Sequence, residues 1–324
     1  MTQPLPRPGH EIVVSGSISN VGPAFDALSV AVDVELRLRV LEVGTSPLPG
    51  SLRSGPESGP GAAGGSLVFE GQVPASGENR IATGFTHAVR KFGDLPPAVR
   101  VHVTTGIPMK AGLGSSAAAT VAGLRLYEAL TKPRDPDALM EIATGIEGHP
   151  DNAAAALLGG LTLSCQREDG GILTSSWHWP TDLRFVVATP EAELETAFAR
   201  KVLAPEISRH DAIFNLQRAL LLVRALETGR YAHLREALRD RWHQPARTQY
   251  VPGLAEALAI DHPSVLGVCL SGAGPSIAVL ATDRHAEAAG LLRSIYSTLG
   301  MPCTIRTLSA RPPISSLSVS GTRT

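Results

Sequence analysis

The stretch IPMKAGLGSSAAATVAG, residues 107–123, constrains this chain more than any other. Glycine tolerates positive φ and lets the backbone approach another group closely, and here a glycine-rich turn with two serines leads directly into an alanine-rich helical pattern. A turn of this kind exposes unpaired N–H groups beside the positive end of the helix dipole. The stretch therefore predicts a binding site for phosphate or carboxylate.

Three interpretations of this turn compete on the residues alone. A Walker A loop needs lysine before its Ser or Thr, and Ser115 follows Gly114 directly, so that loop is excluded. The segment GLGSSA does satisfy the dinucleotide pattern G-x-G-x-x-A, with Asp135 near the distance of a ribose-binding acid. However, IPMKA separates the glycines from the preceding strand, and the chain then runs from helix to helix. A tight turn needed only for packing remains the third alternative.

Composition sets the expected surroundings of such a site. With 324 residues the chain is long enough for two domains, and a net charge of −1 provides no global field for nucleic acid or an anionic membrane. The cysteines Cys165, Cys269 and Cys303 are scattered, as is typical of reduced thiols. No leader-like or membrane-length apolar run is present in the sequence. We therefore expect a cytoplasmic protein without nucleic-acid or membrane partners.

Hydrophobic periodicity predicts mixed helices and strands. Alternate apolar residues from Val30 to Val40 indicate a half-buried strand, and residues 115–130 form a helical pattern that is apolar nearly all round. A second helix is predicted from Pro136 with Asp135 as its cap, and a third near Pro150. The Gly/Pro/Ser-rich stretch 44–66 is predicted to be a flexible surface loop. The end of the chain, 311–324, is predicted to be a frayed tail.

Three motifs in order resemble the GHMP kinases, the family of galacto-, homoserine, mevalonate and phosphomevalonate kinases. They are PMKAGLGSSAAA, which resembles the phosphate loop, SNVGPAFDALSVAVD before it and LSGAGPSIAVLA after it. Within the family, EGHPDNAAAALLGGLTLS is most similar to the homoserine kinases. The resemblance implies a two-lobed α+β fold, with an N-terminal nucleotide-binding α/β domain at 1–165 and a C-terminal ferredoxin-like domain at 166–324. It also implies ATP with Mg²⁺ as cofactors, L-homoserine as substrate, O-phospho-L-homoserine for threonine biosynthesis as product, and a homodimer in many members.

The resemblance assigns the nucleotide side of the site. The implied phosphate-loop contacts are Pro108, Gly112, Leu113, Gly114, Ser115, Ser116 and Ala117. Asn79 is a further implied nucleotide contact. For magnesium it implies Ser116, with Ser115 as the alternative, and Glu141, which lies eleven residues before Asn152. By that spacing Glu147, although nearer to the HPDN motif, is not the expected ligand.

The resemblance also assigns the substrate side. Asn20 and Asp26 are expected at the ammonium of the amino acid, and Arg200 and Arg247 at its carboxylate, because the guanidinium fork suits that group. Thr196 and His149 are further expected contacts. Asn152 is expected to orient the substrate hydroxyl, and it forms the predicted catalytic set with Arg200 and Glu141.

Two residues depart from the pattern of the homoserine kinases. Ala24 and Ser29 stand where those kinases usually have glycine. A Cβ at a position that needs positive φ would strain the backbone around Asn20 and Asp26. Other functions remain open on the sequence. They are a related kinase acting on threonine or mevalonate, a non-catalytic ligand sensor with the same fold, and the NAD-binding protein suggested by the glycine pattern.

Overall fold

The computed structural model describes residues 5–44, 67–72 and 78–314. Apart from Gly44, the loop predicted at 44–66 lies outside the described residues. The strands are β1 Glu11–Ser19, β2 Leu28–Gly44, β3 Leu67–Gly71, β4 Ala98–Thr105, β5 Leu161–Gln166, β6 Ile172–Trp177, β7 Arg184–Pro190, β8 Gly267–Leu270, β9 Ile277–Ala281 and β10 Cys303–Leu308. The helices are α1 Arg80–Phe92, α2 Ser115–Leu130, α3 Pro136–Glu147, α4 Asp151–Leu158, α5 Thr196–Lys201, α6 Arg209–Thr228, α7 Leu234–Ala237, α8 His243–Arg247, α9 Leu254–Leu258 and α10 His285–Thr298.

The N-terminal lobe is a mixed sheet packed against helices α1 to α4. Its strand order is β3-β4-β2-β5-β6, and β1 pairs with β2. Alternation along β2 buries Val30, Val32 and Val34 against the helices while Asp33 faces solvent, as the periodicity predicts. Helix α2 lies across the middle of this layer and is apolar nearly all round because it is buried on most sides.

The C-terminal lobe is an antiparallel sheet in the order β10-β7-β9-β8. If the four strands are numbered 1 to 4 in chain order, their order in the sheet is 4-1-3-2. Helices α5 to α9 lie in the chain between strands 1 and 2, and α10 lies between strands 3 and 4. This is the split β-α-β topology of ferredoxin-like domains, so the predicted α+β fold and C-terminal domain type are confirmed. A core of buried apolar residues including Val186, Leu270 and Leu292 joins this sheet to its helices.

The predicted domain boundary at Cys165 needs correction. Strands β5 and β6 form a hairpin in which Cys165 pairs with Leu173, so the N-terminal sheet continues to Trp177. The residues that follow Gln166 are the turn of this hairpin and not a linker between the lobes. The lobes divide after Trp177.

The end of the described chain returns to the N-terminal lobe. Arg311 N–H donates to the carbonyl of Ala31 at 2.8 Å, and Ile314 N–H donates to that of Leu158 at 2.8 Å. The prediction of a frayed tail is therefore wrong for residues 311–314, because their backbone groups pair with strand β2 and with the last residue of α4. Residues 315–324 lie outside the described part of the chain.

The start of α3 agrees with the sequence signal, because Asp135 caps the helix by accepting from the amide of Asp137. Asn79 caps α1 by accepting from the amides of Ile81 and Ala82, a role that the sequence analysis did not assign to it. Helix α4 begins immediately after Pro150. Among the described residues, no helix combines the length and the apolar character that a bilayer crossing requires.

Candidate active site

Helix α2 begins at the wall of a cavity of about 380 Å³ between the two lobes. Gly114 precedes it at φ 70°, and no side chain caps the helix. The first amides of α2 therefore keep free hydrogens beside the positive end of the helix dipole. Gly112, Gly114, Ser115, Ser116 and Ala117 all line the cavity, so the structure brings these five predicted phosphate-loop residues together.

The glycines of this loop are required by close backbone contacts. A Cβ on Gly112 would lie 2.3 Å from the carbonyl oxygen of Ser271, and one on Gly114 would lie 2.2 Å from Ser17 Oγ. Ser271 Oγ also donates to the carbonyl of Gly112 at 2.7 Å. The turn LSGAGP of the C-terminal lobe thus packs directly on the phosphate loop and fixes its shape.

Glu147 lies at the start of α2, although the sequence analysis set it aside. Its Oε1 accepts from Ser116 Oγ at 3.1 Å and from Thr120 Oγ1 at 2.6 Å. Glu147 is the last residue of α3, and it lines the cavity together with Ser116. A carboxylate and a hydroxyl at the anion-binding end of a helix are the hard oxygen donors that Mg²⁺ prefers.

The structure does not bring Glu141 into the site. Its carboxylate pairs with Lys91 Nζ at 3.3 Å on the outer surface, and both side chains are 51% exposed. Glu141 lies nearly two turns before Glu147 on α3, so the two side chains reach different surroundings. The expected spacing to Asn152 therefore points to a glutamate outside the cavity, whereas Glu147, directly before Gly148 and His149, lines it.

Asn152 is held by a residue that the sequence analysis missed. Ser17 Oγ, on the buried strand β1, donates to Asn152 Oδ1 at 2.7 Å. Since the amide oxygen accepts this hydrogen bond, the Nδ2 hydrogens of Asn152 are left as donors toward the cavity that the residue lines. Ser17 stands three residues before Asn20 in a strand that also enters the site, and that proximity was the available signal.

His149 and Asp151 form a buried pair beside Asn152. His149 Nδ1 lies 2.5 Å from Asp151 Oδ1, and the Asp151 side chain is 1% exposed. Burial opposes the charge on each partner, but the mutual hydrogen bond and charge outweigh it, so the pKa of His149 is raised and that of Asp151 is lowered. His149 lines the cavity as predicted, and Asp151 orients its ring.

Arg200, which lines the cavity, holds Asp26 in a two-pronged ion pair. Arg200 Nη1 and Nη2 donate to Asp26 Oδ2 and Oδ1 at 3.0 and 2.5 Å. Asp26 has a positive φ of 55°, and Asn20 Oδ1 holds that turn by accepting from the Asp26 amide at 2.8 Å. Asn20 in turn donates to the carbonyl of Gly272 at 3.1 Å. Ala24 and Ser29 are buried and neither has a positive φ, so the substitutions noted in the sequence add no backbone strain to this turn.

Arg247 completes the cationic side of the cavity. Only 1% of the residue is exposed, and its Nε donates to the carbonyl of Ala199 at 3.0 Å. Burial first, and then the nearby charge of Arg200, lower the pKa of Arg247 to about 10. The guanidinium groups of Arg200 and Arg247 both lie over the ring of Phe25, at 5.3 and 5.4 Å from its centroid. Phe25 is a second residue that the sequence analysis did not single out.

Thr196 and Arg200 both line the cavity. They lie four residues apart on α5, and this spacing predicts that they share one face of the helix. Three predicted nucleotide residues lie outside the cavity lining. Asn79 caps α1, Leu113 is 1% exposed in the core, and Pro108 precedes the loop. Their nucleotide contacts therefore stay predictions.

One further group of potential metal ligands lies within the described chain. Ligand atoms of Asp26, His149 and Asp151 are all within 4.8 Å of one another. The carboxylate of Asp26 is already neutralised by Arg200, and that guanidinium would repel a metal ion. Ser116 and Glu147 therefore fit magnesium better than this group does.

Known proteins share this architecture and these motifs. Residues 79–160 match the family described as GHMP kinases N terminal domain, and residues 222–293 match GHMP kinases C terminal. A homoserine kinase of Trichormus variabilis is 36% identical over 301 residues, which cover 92% of this chain and 95% of that protein. A homoserine kinase of Thermus thermophilus is 36% identical over 300 residues, which cover 91% of this chain and 93% of that protein.

Solved structures agree with these sequence matches. The crystal structure of homoserine kinase from Cytophaga hutchinsonii has a TM-score of 0.77 at 22% identity, covering 96% of this chain and 98% of that one. The mevalonate kinase of Methanococcus jannaschii has a TM-score of 0.63 at 13% identity, covering 94% and 99%. The chain belongs to the GHMP kinases and, within them, to the homoserine kinase family.

Proposed function

We propose that this protein transfers the γ-phosphoryl group of ATP to the side-chain hydroxyl of L-homoserine and forms O-phospho-L-homoserine, a step in threonine biosynthesis. One observation carries the proposal. The uncapped start of α2 lines the same cavity as Asn152, Arg200 and Arg247, and Arg200 is paired with the carboxylate of Asp26. One cavity thus combines an anion-binding helix start with charged groups that suit an amino acid.

The charge pattern suits a free amino acid. Without substrate, Asp26 and Arg200 neutralise each other. An amino acid carries the same two charges, so its ammonium can replace Arg200 at Asp26 while its carboxylate binds Arg200 and Arg247. Mevalonate has no ammonium, so its carboxylate would either draw Arg200 away from Asp26 without supplying a replacement cation or bind Arg247 alone, and each option loses a charged contact in a partly buried site. This difference favours homoserine over mevalonate.

Asn152 is proposed to position the acceptor hydroxyl. Its Nδ2 hydrogens donate toward that oxygen because Ser17 occupies the amide oxygen. An amide cannot accept the hydroxyl proton, but phosphoryl transfer depends chiefly on alignment and on neutralising charge at the phosphoryl oxygens. The free amides of α2 and the two arginines of the cavity supply positive potential for both purposes.

The donors present fit magnesium and ATP. Ser116 and Glu147 would hold the ion, and the α2 amides would hold the phosphates in a loop that admits no Cβ at Gly112 or Gly114. When bound, the ion neutralises phosphate charge. The residues of the chain bind, orient and exclude water around the reacting groups.

A substrate panel tests the proposal. ADP release with Mg²⁺ and ATP would be measured against L-homoserine, L-threonine, L-serine and mevalonate, for wild type, Arg200→Met and the exposed control Arg293→Met. We expect homoserine to be preferred, and Arg200→Met to lose about 10- to 150-fold in kcat/KM, since a hydrogen bond to a charged group contributes about 1.5–3 kcal/mol. Arg293→Met should match wild type. ATP binding without turnover of any alcohol would favour the sensor, and preference for another alcohol would reject homoserine.

A further inference from the structure

His243 is enclosed between the two lobes and has no exposed surface. It is the first residue of α8, the short helix that ends at Arg247. Its ring lies 5.3 Å from that of Phe25, and its Nε2 contacts Gly22 in the turn between β1 and β2, which also carries Asp26. A buried imidazole needs a partner for each ring nitrogen, because an unpaired polar group in the interior is costly.

The partners of His243 determine where its proton lies. Nε2 is 2.6 Å from the carbonyl oxygen of Gly22, and a carboxylate oxygen of Asp240 lies 3.6 Å from the same nitrogen. Both oxygens can only accept, so Nε2 carries the hydrogen. Nδ1 is 3.2 Å from Arg247 Nη1, which can only donate, so Nδ1 is the acceptor. Burial first, and then the charge of Arg247, lower the pKa of His243, which agrees with a neutral ring.

Three acceptors fix the guanidinium of Arg247. Nε donates to the carbonyl of Ala199 at 3.0 Å, and Nη1 donates to His243 Nδ1 at 3.2 Å and to the carbonyl of Gly272 at 3.4 Å. Within the part of the chain that the structure describes, nothing accepts from Nη2, so this atom is available to a carboxylate in the cavity. Of the three acceptors only His243 is a side chain, and it is therefore the one that a substitution can remove.

We propose that His243 is a positioning residue that aims the guanidinium of Arg247 at the substrate carboxylate. Its ring connects the turn at Gly22 in one lobe to Arg247 in the other, and it does not itself line the cavity. Packing alone would require only the shape of the ring. The two hydrogen bonds run in opposite directions and require a donor at one nitrogen and an acceptor at the other. This inference rests on the proposed function of the cavity.

Two substitutions separate the two hydrogen bonds. His243→Asn places an amide oxygen near the position of Nδ1 and keeps the acceptor for Arg247. His243→Gln places an amide nitrogen near the position of Nε2, so it keeps the donor for Gly22 and removes the acceptor. We expect KM for homoserine to rise at least about 10-fold in His243→Gln and less than about threefold in His243→Asn. In both variants kcat should stay within about threefold of wild type, because the carboxylate is bound equally before and during transfer.

ADP release over a homoserine series at saturating Mg²⁺ and ATP tests the inference. KM for ATP and thermal unfolding would be measured on every variant. His262→Gln is the matched control, because His262 lies between α9 and β8 and does not line the cavity, and it should match wild type. In an Arg247→Met background His243→Gln should raise KM by no more than about twofold further, since the two residues act as one unit.

The outcomes distinguish this inference from the proposed function. An active wild type with the same KM in His243→Asn and His243→Gln would overturn the role of His243 and leave homoserine phosphorylation standing. A full additional rise in KM in the Arg247→Met background would overturn it as well, because His243 would then act independently of Arg247. A wild type that does not phosphorylate homoserine would overturn the proposed function and this inference together.

Discussion

Replacing Glu147 should raise the magnesium requirement of the enzyme, whereas replacing Glu141 should not. Glu147 Oε1 accepts hydrogen bonds from Ser116 Oγ at 3.1 Å and from Thr120 Oγ1 at 2.6 Å. Glu147→Gln keeps an oxygen that can accept both hydrogen bonds, but it removes the negative charge. The effect on local packing is therefore small. The change isolates the electrostatic contribution of the carboxylate to ion binding.

The magnitude follows from the position of the carboxylate. Substituting outer-sphere partners of metal ligands already costs about 10- to 100-fold in affinity or activity, and a direct anionic ligand contributes at least as much. We expect Glu147→Gln to raise the Mg²⁺ concentration for half-maximal activity by at least about 10-fold. Glu141→Gln should change it by less than about twofold, because an exposed ion pair such as that of Glu141 with Lys91 contributes little.

The assay is ADP release at saturating ATP and homoserine over a magnesium series, for wild type and both variants. Thermal unfolding without magnesium serves as the folding control. A normal magnesium curve for Glu147→Gln would refute the assignment of the carboxylate. A shifted curve for Glu141→Gln would restore the choice made from sequence spacing.

Three other predictions concern the loop and its neighbours. Ser17→Ala should lower kcat about 5- to 10-fold with little change in KM for ATP, because losing the hydrogen bond of about 1 kcal/mol frees the Asn152 amide to rotate. Ser17→Thr keeps the hydroxyl and should restore kcat. An unchanged kcat in Ser17→Ala would exclude this positioning role. Gly114→Ala should weaken ATP binding about 5- to 30-fold in a fluorescence titration, because a residue with a Cβ is strained by about 1–2 kcal/mol at a φ of 70° and the Cβ must displace Ser17 Oγ. Normal affinity would contradict the proposed phosphate loop. The raised pKa of His149 contributes stability that is fully present below about pH 6.5 and is lost as the pH rises through the pKa of the folded state. The difference in melting temperature between wild type and His149→Gln should therefore shrink between about pH 6 and 8.5. A constant difference would show that the pair does not titrate as described.

The sequence was sufficient for most of the fold. The alternation along β2 from Val32 onward, the cap Asp135 and the apolar pattern of α2 are local signals, and local signals predict where elements lie. The boundary between the lobes was misplaced because a hairpin turn and a linker have the same composition. Which strands share a sheet depends on long-range pairing, such as Cys165 with Leu173, that no local pattern contains.

The site was predictable in outline and less so in its contacts. Residues of one contiguous motif, such as Gly112 and Gly114 to Ala117, line the same part of the cavity because they are adjacent in the chain. Contacts made across the fold were missed. Ser17 reaches Asn152 over 135 positions in sequence, and Phe25 lies beneath two arginines from separate helices. Spacing counts also fail on helices, where Glu141 and Glu147 point into different surroundings.

The most direct test of the central claim is to identify the product of a single turnover. Enzyme in excess over Mg²⁺–ATP would be mixed with L-homoserine and quenched, and the phosphorus spectrum and mass of the amino-acid product would be recorded. The account predicts one new phosphate monoester on the side-chain oxygen of homoserine, formed with the loss of ATP in equal amount. Inorganic phosphate alone, or a phosphoryl group on any other atom of the substrate, would contradict a cavity in which Asn152 aligns that hydroxyl with the γ-phosphate.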